Sequence, residues 1–217
     1  MSANVSVTDP SVGRDSLRRR TILAAAERAF VRHGFHASTM QDVAVEAGMS
    51  PGNLYRYFPS KDAIVAGLCE CDQEEMASDF VDLAAAGDVV AAIERMLHKR
   101  LVEDPREPLQ LIVEIWAESA RNPVIASIQS KVDALVRERL SATVEAARRS
   151  GAAAPGIDVD FAVRALMTIG AGLFKRRVLE PDFDGEVEVA VAVGLIRTVF
   201  RGLAQPEPAA AGKGARR

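Results

Sequence analysis

Residues 39–61 leave the chain room for little except two short helices and a tight turn between them. Met40, Val43, Ala44 and Ala47 fall at i, i+3, i+4 and i+7, the apolar stripe of one helical face. Gly48 then stops that helix, because a residue without Cβ takes a left-handed conformation at little cost. Ser50 followed by Pro51 is a start signal: a hydroxyl for the free N–H groups, then a ring that pre-sets φ at the first helical position. Ala44 is small enough to let the two helices approach closely, and Leu54 pins the second to a core. A third helix opens at Ser60.

This is the pattern of a helix-turn-helix. Its second helix is short enough to lie in a major groove with its N-terminal residues at the base edges. Pro51, Gly52 and Asn53 occupy that tip. Asn53 has the amide to hydrogen-bond an adenine edge, whereas Pro51 offers an apolar contact, for instance to a thymine methyl. Charge follows the same division. The whole chain carries −3, which taken alone argues against a nucleic-acid partner. Residues 14–61, however, hold eight basic against four acidic side chains, a net of +4, so the remainder carries −7. A basic head on an acidic body suits a DNA-binding module joined to a module that does not touch DNA.

The sequence predicts an all-α fold of about nine helices. Aromatic residues make up only 5 % of the chain and alanine is abundant, which favours close-packed helices over strands. Residues 1–15 are polar and aperiodic and read as a disordered arm. The first helix is expected over 16–33, with Arg18, Arg19 and Arg20 in its first turn, where the helix dipole disfavours cations. Those arginines are either a solvated basic end or a contact to phosphate or a minor groove, and the neighbouring motif favours the second. Residues 16–62 form the expected reading domain, 63–204 the body, and 205–217, rich in Pro, Ala and Gly, a disordered tail. The helix opening at Ser60 runs to about residue 85 and is expected to link the two domains.

The segments 158–178 and 184–203 are apolar over more than one stripe, so both sides need cover. One face of each is expected on the body and the other against a second copy of the chain, with Phe161, Ile169, Leu173, Leu195 and Val199 in the seam. Gly170, Gly172 and Gly194 remove side chains where helices come close. Two-fold symmetry makes such a patch self-complementary and pairs two readers on a palindromic site. Cys69 and Cys71 point to opposite sides of a helix and read as reduced thiols. Apolar signal-peptide and membrane-helix runs are lacking, which gives the expectation of a cytoplasmic protein without a membrane partner. Catalytic and metal-ligand spacings are lacking too, so the expectation is no enzyme, no cofactor and no metal.

Residues 52–61, with Gly52, Asn53, Leu54, Tyr55, Tyr57, Phe58 and Lys61, resemble the signature of TetR-type (TetR/AcrR) transcriptional regulators. Ala26, Phe30 and Gly34 upstream agree, as do Thr39 and Val43, and the resemblance is specific over about residues 16–68. It implies phosphate contacts from Thr39, Tyr55, Tyr57 and Lys61, although an aromatic at Tyr57 serves equally as core. It also implies a body that senses a small molecule, with a cavity among the later helices that Phe80, Met96, Trp116, Met167 and Phe174 would line, unless they are ordinary core. The function so implied is a ligand-responsive dimeric repressor acting on a double-stranded operator. The alternative is a dimeric DNA-binding factor with no ligand, its body serving dimerisation or partner binding.

Overall fold

The computed structural model of the chain describes residues 10–202. They form nine α-helices, with no strand among the described residues: α1 (Pro10–His33), α2 (Met40–Glu46), α3 (Pro51–Tyr57), α4 (Lys61–Ala85), α5 (Val89–His98), α6 (Glu107–Ser119), α7 (Pro123–Ser150), α8 (Val159–Leu179) and α9 (Gly185–Phe200). A π-helical turn, Lys99–Glu103, continues α5. Helix starts follow side-chain chemistry. Thr39, Ser50, Ser60, Asp88, Asn122, Asp158 and Asp184 each accept a hydrogen bond from a backbone N–H of the turn they open. Gly151, at φ +79°, ends α7 in the left-handed conformation.

Two cores organise the packing. The first gathers Ile22, Phe30, Val43, Leu54, Phe58, Ile64 and Val65 around α1 to α4. Leu111 and Ile115 of α6 and Ile125 of α7 also belong to it. The second fills the body from Phe80 to Phe200. The expected boundary at 62/63 therefore cuts through a helix whose next buried residues, Ile64 and Val65, complete the reader. Gly67 is part of the same fit, since a Cβ there would lie 2.9 Å from Leu23 Cδ2 and 3.1 Å from Phe58 Cε1.

Two more expectations are corrected. α1 begins at Pro10, so residues 10–15 are helical and Arg18, Arg19 and Arg20 lie in mid-helix, away from the unfavourable first turn. The remainder of the expected arm, residues 1–9, lies outside the described residues, as does the tail after residue 202. In α8 and α9 the seam expected between chains is partly internal. Leu173 and Val199 are buried in the chain's own core, and Ile169 turns toward a cavity. Phe161 is half-buried and Leu195 exposed. The reason is rotational: α9 buries Val189, Ala192, Val193, Ile196, Val199 and Phe200, and a helix apolar all round does not announce which stripe turns inward. Its outer stripe is Val187, Val191 and Leu195, each more than half exposed.

His98 staples α5 to α9. Its Nδ1 lies 3.0 Å from Glu103 and its Nε2 3.0 Å from Glu186. The Glu186 hydrogen bond, seconded by Glu103, raises the imidazole above its ordinary value of 6.5. A raised pKa means that the stabilising contribution is complete below the unfolded value and fades as pH climbs through the folded one. The melting temperature of His98→Gln should therefore fall furthest below wild type near about pH 5.5 and converge on it near about pH 8.5. Thermal scans across that range check the sign; a gap that widens with pH contradicts it.

Candidate functional site

The turn between α2 and α3 is built as the sequence requires. Ala47 caps α2, Gly48 takes φ +63°, and Ser50 Oγ accepts from the Asn53 N–H at 3.3 Å to open α3. Leu54 is fully buried and fixes the roll of α3. That roll turns Gly52, Tyr55 and Arg56 outward and leaves Pro51 and Asn53 half-exposed at the tip. Arg56 was not among the residues expected at DNA. Its spacing of four from Gly52 was the available signal, since it places both on one face.

The rest of the reader braces this helix. Arg28 Nε and Arg32 Nη1 meet the two oxygens of Glu46 at 2.8 and 2.7 Å, tying α1 to α2 and holding that carboxyl below its usual range. Two exposed cations counted in the basic head are thus engaged by a carboxylate of the same domain. Arg19, exposed, donates to the Tyr57 carbonyl at 3.1 Å and lies 4.4 Å from the centre of the Phe58 ring, so it closes the C-terminal end of α3. Arg18 sits half-buried one residue earlier on α1. Tyr57 is half-buried against the reader core, and its hydroxyl donates to Asp15 at 3.4 Å. Tyr55 remains outward.

Two residues assigned to phosphate have structural duties in the fold. The Thr39 hydroxyl accepts from the Asp42 N–H at 3.2 Å while the Thr39 N–H donates to the Asp42 carboxylate at 2.8 Å, a closed capping box at the start of α2. The Lys61 ammonium donates to the carbonyls of Phe35, His36 and Ser38 at 2.8, 3.2 and 3.0 Å. Three donors meet three acceptors, which exhausts the group. It also lies 4.4 Å from the centre of the Phe35 ring, and its partial burial lowers its pKa against the opposing pull of Glu118 and Asp62. α6 grips the same loop from the other side, where Glu114 accepts from the Phe35 N–H at 2.5 Å.

Within the body a cavity of about 270 Å³ opens between α4, α5, α6, α7 and α8. Its wall brings together Phe80, Met96, Trp116, Met167 and Phe174. Trp116 and Phe174 stack with ring centres 6.4 Å apart and planes 14° from parallel. Polar groups that sequence reasoning passed over also face it, among them Asp79 and Arg100, which pair at 3.4 Å, and Asp133, which accepts from Gln129 at 2.8 Å. On a helix such residues read as a solvated face, and only the fold turns them toward a cavity. Cys69 lines it as well, its thiol pushed up to about 11 by burial and by the nearby Asp72 and Glu70. Both cysteines are free. No group of three His, Cys, Asp or Glu side chains among the described residues could hold a metal ion, and no helix among them is long and apolar enough to cross a membrane.

An outward-turned second helix on a body with an apolar cavity is the architecture of a DNA-binding regulator that responds to a ligand. Comparison with known proteins gives the same class. A family model for bacterial regulatory proteins of the tetR family matches residues 22–68, and one for the C-terminal part of BetI-type transcriptional repressors matches residues 88–203. The chain belongs to the TetR family. It is similar to the HTH-type transcriptional regulator UidR of Escherichia coli (strain K12), 28 % identical over 159 residues, which cover 71 % of this chain and 79 % of that one. The solved structure of Salmonella enterica GusR superposes with a TM-score of 0.74 at 24 % identity, covering 90 % of this chain and 99 % of that one. A transcriptional regulator from Saccharomonospora viridis, solved in complex with choline, superposes with a TM-score of 0.69 at 21 % identity, covering 83 % and 96 %.

Proposed function

We propose that the chain is a cytoplasmic homodimeric repressor that sits on a palindromic operator and leaves it when a small molecule fills the cavity. One observation carries this reading: α6 stands between reader and cavity. Its Ile112 and Trp116 face the cavity, while Leu111 sits in the reader core and Glu114 holds the Phe35 amide. A ligand that displaces Trp116 moves a helix bonded to the loop before α2. α4 provides a second connection, with Ile64 and Val65 in the reader core and Phe80 and Leu83 at the cavity. Coupling of this kind requires the ligand to favour one arrangement of these helices over another, and operator and ligand then weaken each other by the same factor.

The reading of DNA is assigned to Pro51, Gly52 and Asn53 for bases and to Tyr55 and Arg56 for phosphates, with Arg18 and Arg19 on the flank. Asn53→Ala should cost about 1–3 kcal/mol of specific affinity and relax the base preference at one position. Arg56→Ala should weaken binding to every sequence and reduce the salt slope by about one unit. Fluorescence anisotropy on operator and random duplexes at several salt concentrations separates the two effects. A preserved sequence preference in Asn53→Ala removes that residue from base reading.

A further inference from the structure

Phe35 is held by its backbone from two sides. Its N–H donates to the Glu114 carboxylate of α6 at 2.5 Å, and its carbonyl accepts from the Lys61 ammonium of α4 at 2.8 Å. Lys61 also takes the carbonyls of His36 and Ser38, so the far side of the loop belongs to α4. Gln110, one turn back on α6, steadies Glu114 by donating to its other oxygen at 3.2 Å. A second carboxylate of α6, Glu118, is buried and pairs with Arg121 at 2.5 Å, with His36 Nδ1 3.9 Å away. The loop ends at Ser38, which is 3 % exposed and whose hydroxyl donates to the carbonyls of Ala29 and Gly34. The next residue, Thr39, caps α2, so a displaced loop displaces the start of the helix-turn-helix.

Glu114 lies between Ile112 and Trp116, both on the cavity wall. Positions two apart on a helix differ by about 200°, so one turn of α6 shows two side chains to the cavity and its carboxylate to the loop. Trp116 stacks on Phe174 of α8, and whatever disturbs that stack shifts the turn. A bond from an amide to a carboxylate is about twice as strong as a neutral one. Breaking it would also strand a donor on a residue that is 3 % exposed. The amide therefore follows the carboxylate, while Lys61 keeps the carbonyls on α4. We propose that Glu114 is the positioning residue through which the cavity reaches the reader: α6 draws on the Phe35 amide against the grip of Lys61, and the loop turns α2 and α3 with it. This rests on reading the cavity as the site that governs operator binding. α4 is the competing connection, since it reaches both cores by itself and would work without Glu114.

A double-mutant cycle on the full chain tests this without an effector. Binding is read by fluorescence anisotropy on a duplex that the wild type selects from a random pool. Trp116→Ala should weaken it about fivefold or more. In the Glu114→Ala background, itself weakened, the same substitution should add less than about twofold. Glu114→Gln keeps an amide oxygen that accepts from Phe35 and should restore most of the Trp116 effect. Hydrogen exchange on Trp116→Ala alone needs no variant at Glu114: the Phe35 amide should exchange about tenfold faster while that of Leu54 keeps its wild-type rate. A Trp116 effect undiminished in Glu114→Ala overturns the role of Glu114 while the cavity stands as the governing site. So does a Glu114→Gln protein that behaves like Glu114→Ala, or a Phe35 amide that exchanges as in wild type. An effect of Phe80→Ala without one of Trp116→Ala gives the coupling to α4, with the same consequence. If neither cavity substitution changes binding, or if selection enriches no duplex, both readings fall.

Discussion

Replacing Val191 and Leu195 together by Glu should convert a dimer into a soluble monomer and reduce affinity for a palindromic operator by a factor on the order of 10²–10⁴, the advantage that tethering two readers confers. Both residues are exposed, at 53 % and 52 %, and with Val187 they form one stripe along α9. Gly194 on the same helix and Gly172 on α8 are also exposed and have open space where a Cβ would point, so a facing helix has room to approach. A charge in that seam loses its water on association without gaining a partner, which is costly enough to oppose the dimer. In the monomer the same carboxylates stay in water, so the fold itself should be unharmed. Val199→Glu is the informative contrast. Val199 is 4 % exposed inside its own chain, so a charge there should lower the melting temperature rather than split the dimer. Sedimentation and thermal scans on the two variants distinguish these outcomes. A Val191→Glu/Leu195→Glu protein that still sediments as a dimer and binds operator puts the seam on another face.

Lys61→Met should unfold the reader more readily and should not behave like the loss of a phosphate contact. The substitution keeps much of the stem against the Phe35 ring but leaves the carbonyls of Phe35, His36 and Ser38 without their donor. Bonds to a charged donor are worth about 1.5–3 kcal/mol each and do not add fully, so a total cost of about 2–4 kcal/mol is expected. For a chain of this size that lowers the melting temperature by roughly 5–15 °C. Operator affinity should recover at low temperature, with the salt slope of the wild type, because no counterion-releasing contact has gone. A slope reduced by about one unit with unchanged melting would return Lys61 to the DNA backbone.

The helix-turn-helix was legible because its signals are local. A glycine at the left-handed turn, a serine-proline start and a four-residue apolar stripe each act within a few residues of themselves. The same holds for Asp88, Asn122 and Asp184 as helix starts. Lys61 shows where local reasoning ends. Its donor points to an exposed edge in sequence, yet the acceptors that claim it, 23 to 26 residues upstream, are brought close only by the packing of α4 on α1. The stripes of α8 and α9 were misassigned for a related reason. Apolar content all round a helix shows that both faces need cover without saying which neighbour covers which. The Asp79–Arg100 pair was invisible because two helices must meet before their charges do. Phe80, Met96, Trp116, Met167 and Phe174 line the cavity because each is a large side chain on a body helix, which by itself does not make any of them a ligand contact.

The sharing of α6 between the two cores bears on how such a chain can be cut and recombined. Excised after residue 68, the reading head would lose Leu111, Ile115 and Ile125, which lie 5 %, 6 % and 0 % exposed within its core, together with the Glu114 carboxylate on the Phe35 amide. A graft that moves this head onto a foreign sensor therefore needs a compatible sixth helix and seventh-helix start, or it carries an open flank. The unit of exchange is a three-dimensional plug and its socket rather than a segment of sequence. A lineage trading readers among sensors would have to keep the residues of that socket in step.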